Sequence, residues 1–147
     1  MIVKIIETNK KDYLDLLLLA DEQEDMIDRY LDRGTLFALY DHDLKSICVV
    51  TDEGEGNFEI QNLATYEQHQ RKGYGGYLVN HVCAYYQGKG QTMLVGTGDF
   101  PSMLSFYESC GFALAHRIAN YFVDHYDEPM YEDGVQLIDK VYLKRSL

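Results

Sequence analysis

The chain has 147 residues, 46% hydrophobic, 13% aromatic and 25% charged, a length and composition that fit one globular domain over residues 1–147 and exclude global disorder. Its 24 acidic and 13 basic residues give a formal net charge of −11, which repels phosphate backbones and anionic lipid and so argues against nucleic-acid and membrane-surface partners. Cys48, Cys83 and Cys110 are widely spaced with no CxxC pair, and Met1–Glu7 lacks the apolar core of a signal peptide, so the expected setting is reducing and cytoplasmic.

Met1–Glu7 is β-branched and predicts a short strand, followed by helical patterns over Lys11–Ala20 and Glu22–Leu31 with Thr8, Asn9 and Asp21 as caps. Gly34 ends the second helix. Thr35–Tyr40, Ser46–Thr51 and Asn57–Thr65 then predict an antiparallel meander joined by Asp41-His42-Asp43 and Glu53-Gly54-Glu55-Gly56. From Gly73 to Gln87 the residues Tyr74, Tyr77, Leu78, His81, Val82 and Tyr85 form one helical face that should lie on the sheet. Thr92–Gly96 predicts a buried strand, Ser102–Ser109 a helix opened by Pro101 and closed by Gly111, and Phe112–Ile118 and Val135–Leu143 the last two strands. The order β-α-α-β-β-β-α-β-α-β-β gives an α+β (mixed α/β) domain.

One segment carries most of the chemistry. Glu59 to Leu78 runs from a strand through a basic turn, His69, Arg71 and Lys72, into a helix whose first turn holds Gly73, Gly75 and Gly76. Unpaired backbone N–H groups and the positive end of the helix dipole make such a junction an anion site, although a tight strand–helix turn would use the same glycines. Neither a Gly-x-Gly-x-x-Gly dinucleotide fingerprint nor a Gly-x-x-x-x-Gly-Lys-Ser/Thr loop is present.

Gln70-Arg71-Lys72-Gly73-Tyr74-Gly75 and Phe106-Tyr107-Glu108-Ser109-Cys110-Gly111-Phe112 resemble the pyrophosphate loop and the later Phe-Tyr-x-x-x-Gly-Phe segment of the GCN5-related N-acetyltransferases, and the likeness spans the chain. It implies a mostly antiparallel mixed sheet splayed between strands 4 and 5 and flanked by about four helices. It also implies acetyl-CoA as acyl donor, with no metal. The pantetheine arm would pair with Leu63, Ala64 and Thr65. The pyrophosphate would sit on Gln70, Arg71, Lys72, Gly73, Tyr74, Gly75 and Gly76. Tyr107 matches the family's general acid, a role suited to a phenol that is protonated at neutral pH, and the Leu63 N–H would hold the oxyanion. The acceptor would be a small amine or peptide amine, and the assembly a homodimer.

Other positions keep two readings. Glu59 stands where family members place a general base, or is simply a polar residue alternating with Phe58, Ile60 and Asn62. Asp99 stands where relatives use an asparagine to contact the cofactor, or caps the following helix. Cys110 is a nucleophile candidate or, without a neighbouring histidine, a small buried hydrophobe. His81, His116 and His125 have no partner at ligand spacing. Ala119–Gly134, aromatic and acidic, is a solvated loop or, with Asp21-Glu22-Gln23-Glu24-Asp25, a wall that attracts a cationic acceptor by charge and cation–π contact. A CoA-binding sensor or interaction module without turnover is the alternative to an enzyme.

Overall fold

The computed structural model describes residues 1–147. β1 (Ile2–Ile6), β2 (Thr35–Asp41), β3 (Asp43–Gly54) and β4 (Asn57–Thr65) form an antiparallel meander, with α1 (Leu14–Ala20) and α2 (Glu24–Ile27) between β1 and β2. α3 (Tyr74–Tyr86) leads to β5 (Thr92–Gly98), then α4 (Pro101–Ser109), β6 (Ala113–Ile118), α5 (Tyr121–His125), a β7 (Tyr131–Glu132) and β8 (Val135–Gln136) hairpin, and β9 (Lys140–Ser146). The main sheet has seven strands in the order β1-β2-β3-β4-β5-β9-β6. Its one parallel pair is β4 with β5, as expected for the splayed mixed sheet.

β2 and β3 are buried on both faces, so their sequences are nearly continuous apolar runs rather than alternating ones. On one face Phe37, Leu39, Cys48, Val50, Phe58 and Ile60 pack under Leu78, Val79, Val82, Cys83 and Tyr86 of α3. On the other, Leu36, Ala38, Ile47, Val49 and Ala64 meet Leu16, Leu17, Ile27, Tyr30 and Leu31. Each such large side chain contributes about 1.5–3 kcal/mol by leaving water.

β4 carries the irregularity that matters most. Val49 pairs with Asn62 and Val50 with Ile60, so Gln61 is an extra residue, a β-bulge. Phe58 and Ile60 face α3, and after the bulge Leu63 does too, while Ala64 joins the α1 side. Asn62 also faces α1, where it bonds the Leu17 carbonyl. The bulge therefore puts Glu59 and Asn62 on one face, whereas strict alternation would separate them.

Several expectations are corrected. The second helix is a single turn, α2, followed by turns to Arg33. Asp21 is not a helix N-cap but the C-cap of α1, and Asn9 heads a 3-10 turn (Lys10–Tyr13) without a side-chain cap bond. The buried stripe of α3 is Leu78, Val79, Val82, Cys83 and Tyr86, while His81, Tyr77 and Tyr85 are exposed. Aliphatic residues let the helix sit closer to the sheet than a row of phenols would, and the phenols reach solvent at the flanks. The final strand begins at Lys140, not Val135: Asp133 and Gly134, at φ 47° and 79°, make a two-residue hairpin turn between β7 and β8. Five α-helices accompany the sheet, in keeping with the expected fold, and α5 forms within the segment otherwise expected to be loop or wall. No helix is long and apolar enough to cross a membrane.

Candidate active site

β4 and β5 pair only over Asn57–Ile60 and Thr92–Val95. Beyond these four rungs β4 runs on through Leu63, Ala64 and Thr65 with no strand on its β5 side, while β5 stays bonded to β9. The gap opens into a cleft of about 1010 Å³, lined by both strands, the β4–α3 junction, α4 and the 121–142 segment. Backbone groups at a sheet edge need partners, so the free rungs of β4 are suited to an extended, amide-bearing ligand.

At the α3 end of the cleft the chain turns sharply. Arg71 and Gly73 are both left-handed, at φ 61° and 89°, and Gln70 Nε2 donates to the Thr65 carbonyl at 3.2 Å, bracing the loop against β4. Tyr74 anchors the first turn of α3 by donating to Asp41 Oδ2 at 2.7 Å. The amides opening α3 have no partner within the helix, and His69, Gln70, Arg71, Gly73, Tyr74, Gly75 and Gly76 line the cleft. Gly76 is not left-handed, and a Cβ there would meet nothing within 4 Å. The protein itself does not require glycine at this position, which fits close approach by a phosphate. Lys72 is exposed and outside the lining.

Tyr107 lies on α4, its ring between Phe106 and Phe112 at centroid distances of 5.0 and 5.8 Å. The residue lines the cleft, its hydroxyl takes part in no hydrogen bond with the protein, and burial, aided by nearby Cys48 and Cys110, pushes the phenol well above its ordinary pKa. Glu59 sits on the β4 wall, and burial raises its carboxyl above the usual range, opposed by the charge of Lys140. Its hydrogen bond is a long one, from Tyr142 at 3.4 Å. Cys110 is buried and its thiol is raised by burial, the wrong direction for a thiolate nucleophile.

The far side of the cleft is a buried polar network. Asp21 accepts from Tyr30 at 2.9 Å and from Tyr126 at 2.6 Å. Asn62 Nδ2 donates to the Leu17 carbonyl and to Tyr30 Oη, both at 3.0 Å. Those bonds fix the amide, and Asn62 Oδ1 is left as a buried acceptor without a partner. From the acidic and aromatic run, Tyr121, Phe122, Tyr126, Tyr131 and Glu132 reach the cleft, but Asp124, Asp127, Glu128 and Asp133 do not. Asp21, Glu22, Glu53, Glu59 and Glu132 share this lining with Arg29, Arg33 and Lys140. The acidic excess of this wall is thus smaller than expected, because Asp124, Asp127, Glu128 and Asp133 stay outside the cleft while the rings of Tyr121, Phe122 and Tyr126 line it.

Asp99 is not the cap of α4 and lies outside the cleft lining. Its carboxylate is held by Arg117 at 3.0 Å outside the cleft, and the N-cap of α4 is Phe100. Lys140 and Tyr142, both lining the cleft, escaped the sequence reading. The signal was alternation: Val141 and Leu143 are core residues, so Lys140 and Tyr142 must face the other way. His116 stacks on Tyr142 at 4.7 Å and His125 on Tyr121 at 4.3 Å, which gives both histidines a packing role. No three His, Cys, Asp or Glu side chains gather where a metal ion could sit.

Residues 32–114 match the family model described as an acetyltransferase (GNAT) domain. The uncharacterized N-acetyltransferase YvbK of Bacillus subtilis strain 168 is 38% identical over 144 residues, 96% of this chain and 92% of that protein. A GNAT family acetyltransferase from Elizabethkingia anophelis with acetyl-CoA bound superposes with a TM-score of 0.93 at 30% identity, over 99% of this chain and 97% of that one. A Bacillus subtilis acetyltransferase in complex with CoA does so with a TM-score of 0.91 at 34% identity, over 99% and 97%.

Proposed function

We propose, from the premise that the chain belongs to the GNAT family of acetyl-CoA-dependent N-acetyltransferases, that it acetylates a primary amine by direct attack, with Tyr107 as general acid and Glu59 as general base. Residues 1–147 act as one catalytic unit in this reading. Acetyl-CoA supplies an activated acetyl thioester. The backbone of Leu63, Ala64 and Thr65 binds the pantetheine arm, for which the unpaired rungs of β4 are the support. Amides from Arg71 to Gly76, with the side chains of His69 and Arg71, bind the pyrophosphate, supported by the left-handed turn and the open space at Gly76.

Glu59 takes the proton that an ammonium must lose before it can attack, directly or through water, and its raised pKa brings it nearer to working pH. The Leu63 N–H stabilises the oxyanion, and Tyr107 gives its proton to the departing sulfur. Tyr107 carries the proposal: a protonated phenol in the cleft with its hydroxyl unengaged by the protein is a donor in reserve. The acceptor nitrogen arrives as a cation, drawn by Glu22, Glu59 and Glu132 and steered by the faces of Tyr121 and Tyr126. Release of free thiol from acetyl-CoA against a panel of amines tests the reading. Turnover that Tyr107→Phe abolishes or cripples supports it, and turnover indifferent to that change withdraws the acid role.

A further inference from the structure

Lys140 is the first residue of β9, and its side chain reaches into the cleft between two aromatic rings. The ammonium stands 4.4 Å from the centroid of Tyr121 and 5.0 Å from that of Tyr142. Its aliphatic stem lies over Gly96, where a Cβ would collide with it. β5 therefore uses a glycine to let this lysine lie flat. Rings and stem fix the position of Nζ, yet none of its three N–H donors makes a hydrogen bond or ion pair.

The nearby carboxylates do not take that role. Asp21 is occupied by the hydroxyls of Tyr30 and Tyr126. Glu59 influences Lys140 by charge but lies beyond ion-pair distance, with Tyr142 between them. Of the other cations on the wall, Arg33 is paired with Glu53 at 2.8 Å, and Arg29 is exposed. Lys140 is thus the half-buried, unsatisfied cation of the acceptor side, separated from the proposed base by one tyrosine side chain.

An ammonium partly withdrawn from water, held in place with no anionic partner from the protein, is a ready seat for an anionic group of a ligand. A purely cationic acceptor would add to that charge. We infer that the acceptor carries a carboxylate beside its amine, that Lys140 binds this carboxylate between Tyr121 and Tyr142, and that the enzyme acetylates amino-acid-like zwitterions in preference to simple amines or polyamines. The one-tyrosine separation suits the short distance between the ammonium and carboxylate of such a molecule. This inference rests on the acetyl-transfer reading, because Glu59 must receive the amine while Lys140 holds the other end.

The test compares acceptors that differ only by the carboxylate: alanine with ethylamine, phenylalanine with phenethylamine, lysine with cadaverine. For at least one pair, kcat/KM is expected to be at least tenfold higher for the amino acid, and Lys140→Met, which keeps the stem, is expected to bring the ratio near one. Lys140→Arg should restore part of the preference. Equal or better turnover of the decarboxylated partners, or a ratio that Lys140→Met leaves unchanged, overturns the inference. If no acceptor releases thiol, the transfer reading itself fails, and the carboxylate site is then read by thermal shift in the presence of CoA. A shift with N-acetylphenylalanine but not N-acetylphenethylamine, lost in Lys140→Met, upholds the site; equal shifts, or none, overturn it.

Discussion

The Tyr126 hydroxyl donates to Asp21 Oδ1 at 2.6 Å across 105 positions of sequence. With the Asp127 N–H donating to Gln23 Oε1 at 3.0 Å, it fastens the segment around α5 to the end of α1 across the acceptor side of the cleft. Asp21 is 8% exposed, so this hydrogen bond to a carboxylate is largely shielded from water.

Tyr126→Phe keeps the ring and removes that tie. The expected cost is about 1.5–3 kcal/mol of local stability, read as faster amide exchange over residues 120–137. KM for the acceptor should rise while KM for acetyl-CoA stays put, because the pyrophosphate loop lies at the opposite end. Equal effects on both KM values would mean that the tie supports the whole cleft.

Tyr107→Phe should lower kcat by about a hundredfold or more without lowering the melting temperature. The packing against Phe106 and Phe112 survives the change, and no protein hydrogen bond is lost. Since burial moves the phenol pKa upward from 10.0, the wild-type rate should show no loss from Tyr107 ionisation as pH rises to that value. Steady-state rates between pH 6 and pH 10, about the span over which an unshifted phenol would begin to titrate, check both points.

Glu59→Gln separates activity from stability. The folded-state pKa of Glu59 lies above its ordinary 4.5, so ionising it costs the folded state more than the unfolded one. That cost is absent below 4.5 and fully present above the folded value, so the amide variant should melt higher than wild type at neutral pH and lose its advantage as the pH falls. kcat/KM should drop about a hundredfold or more, and the acidic limb of the wild-type profile should vanish. An acidic limb retained in the variant would place the base elsewhere.

Local signals announced the scaffold well. Apolar runs marked β2 and β3, Pro101 marked the start of α4, and the glycines after Arg71 marked the turn into α3. The acceptor side was less legible, because it depends on long-range placement. Glu59 and Asn62 share a face only through the bulge at Gln61, and that bulge is set by pairing with β3 rather than by β4 alone. Lys140 matters because of Gly96 and two tyrosines from distant segments. The Asp133-Gly134 turn, by contrast, is readable from its dipeptide, whereas β8 and β9 merge in sequence into one expected strand over Val135–Leu143.

Gly76→Ala should leave the fold intact and gain up to about 0.5–1 kcal/mol, the usual benefit of alanine over glycine in a helix. Nothing in the protein meets the added methyl. Binding of CoA, measured by calorimetry, should nevertheless weaken tenfold or more, because the methyl would fill the approach to the helix amides. Unchanged affinity would move the pyrophosphate away from this turn.

The four-rung seam between β4 and β5 also has a mechanical side. A seven-stranded sheet joined so briefly at its middle behaves as two plates on a short hinge, β1 to β4 on one side and β5, β9 and β6 on the other. A pantetheine arm lying along the free rungs would act as a splint across that hinge, so the donor would stiffen the molecule as well as supply its acetyl group.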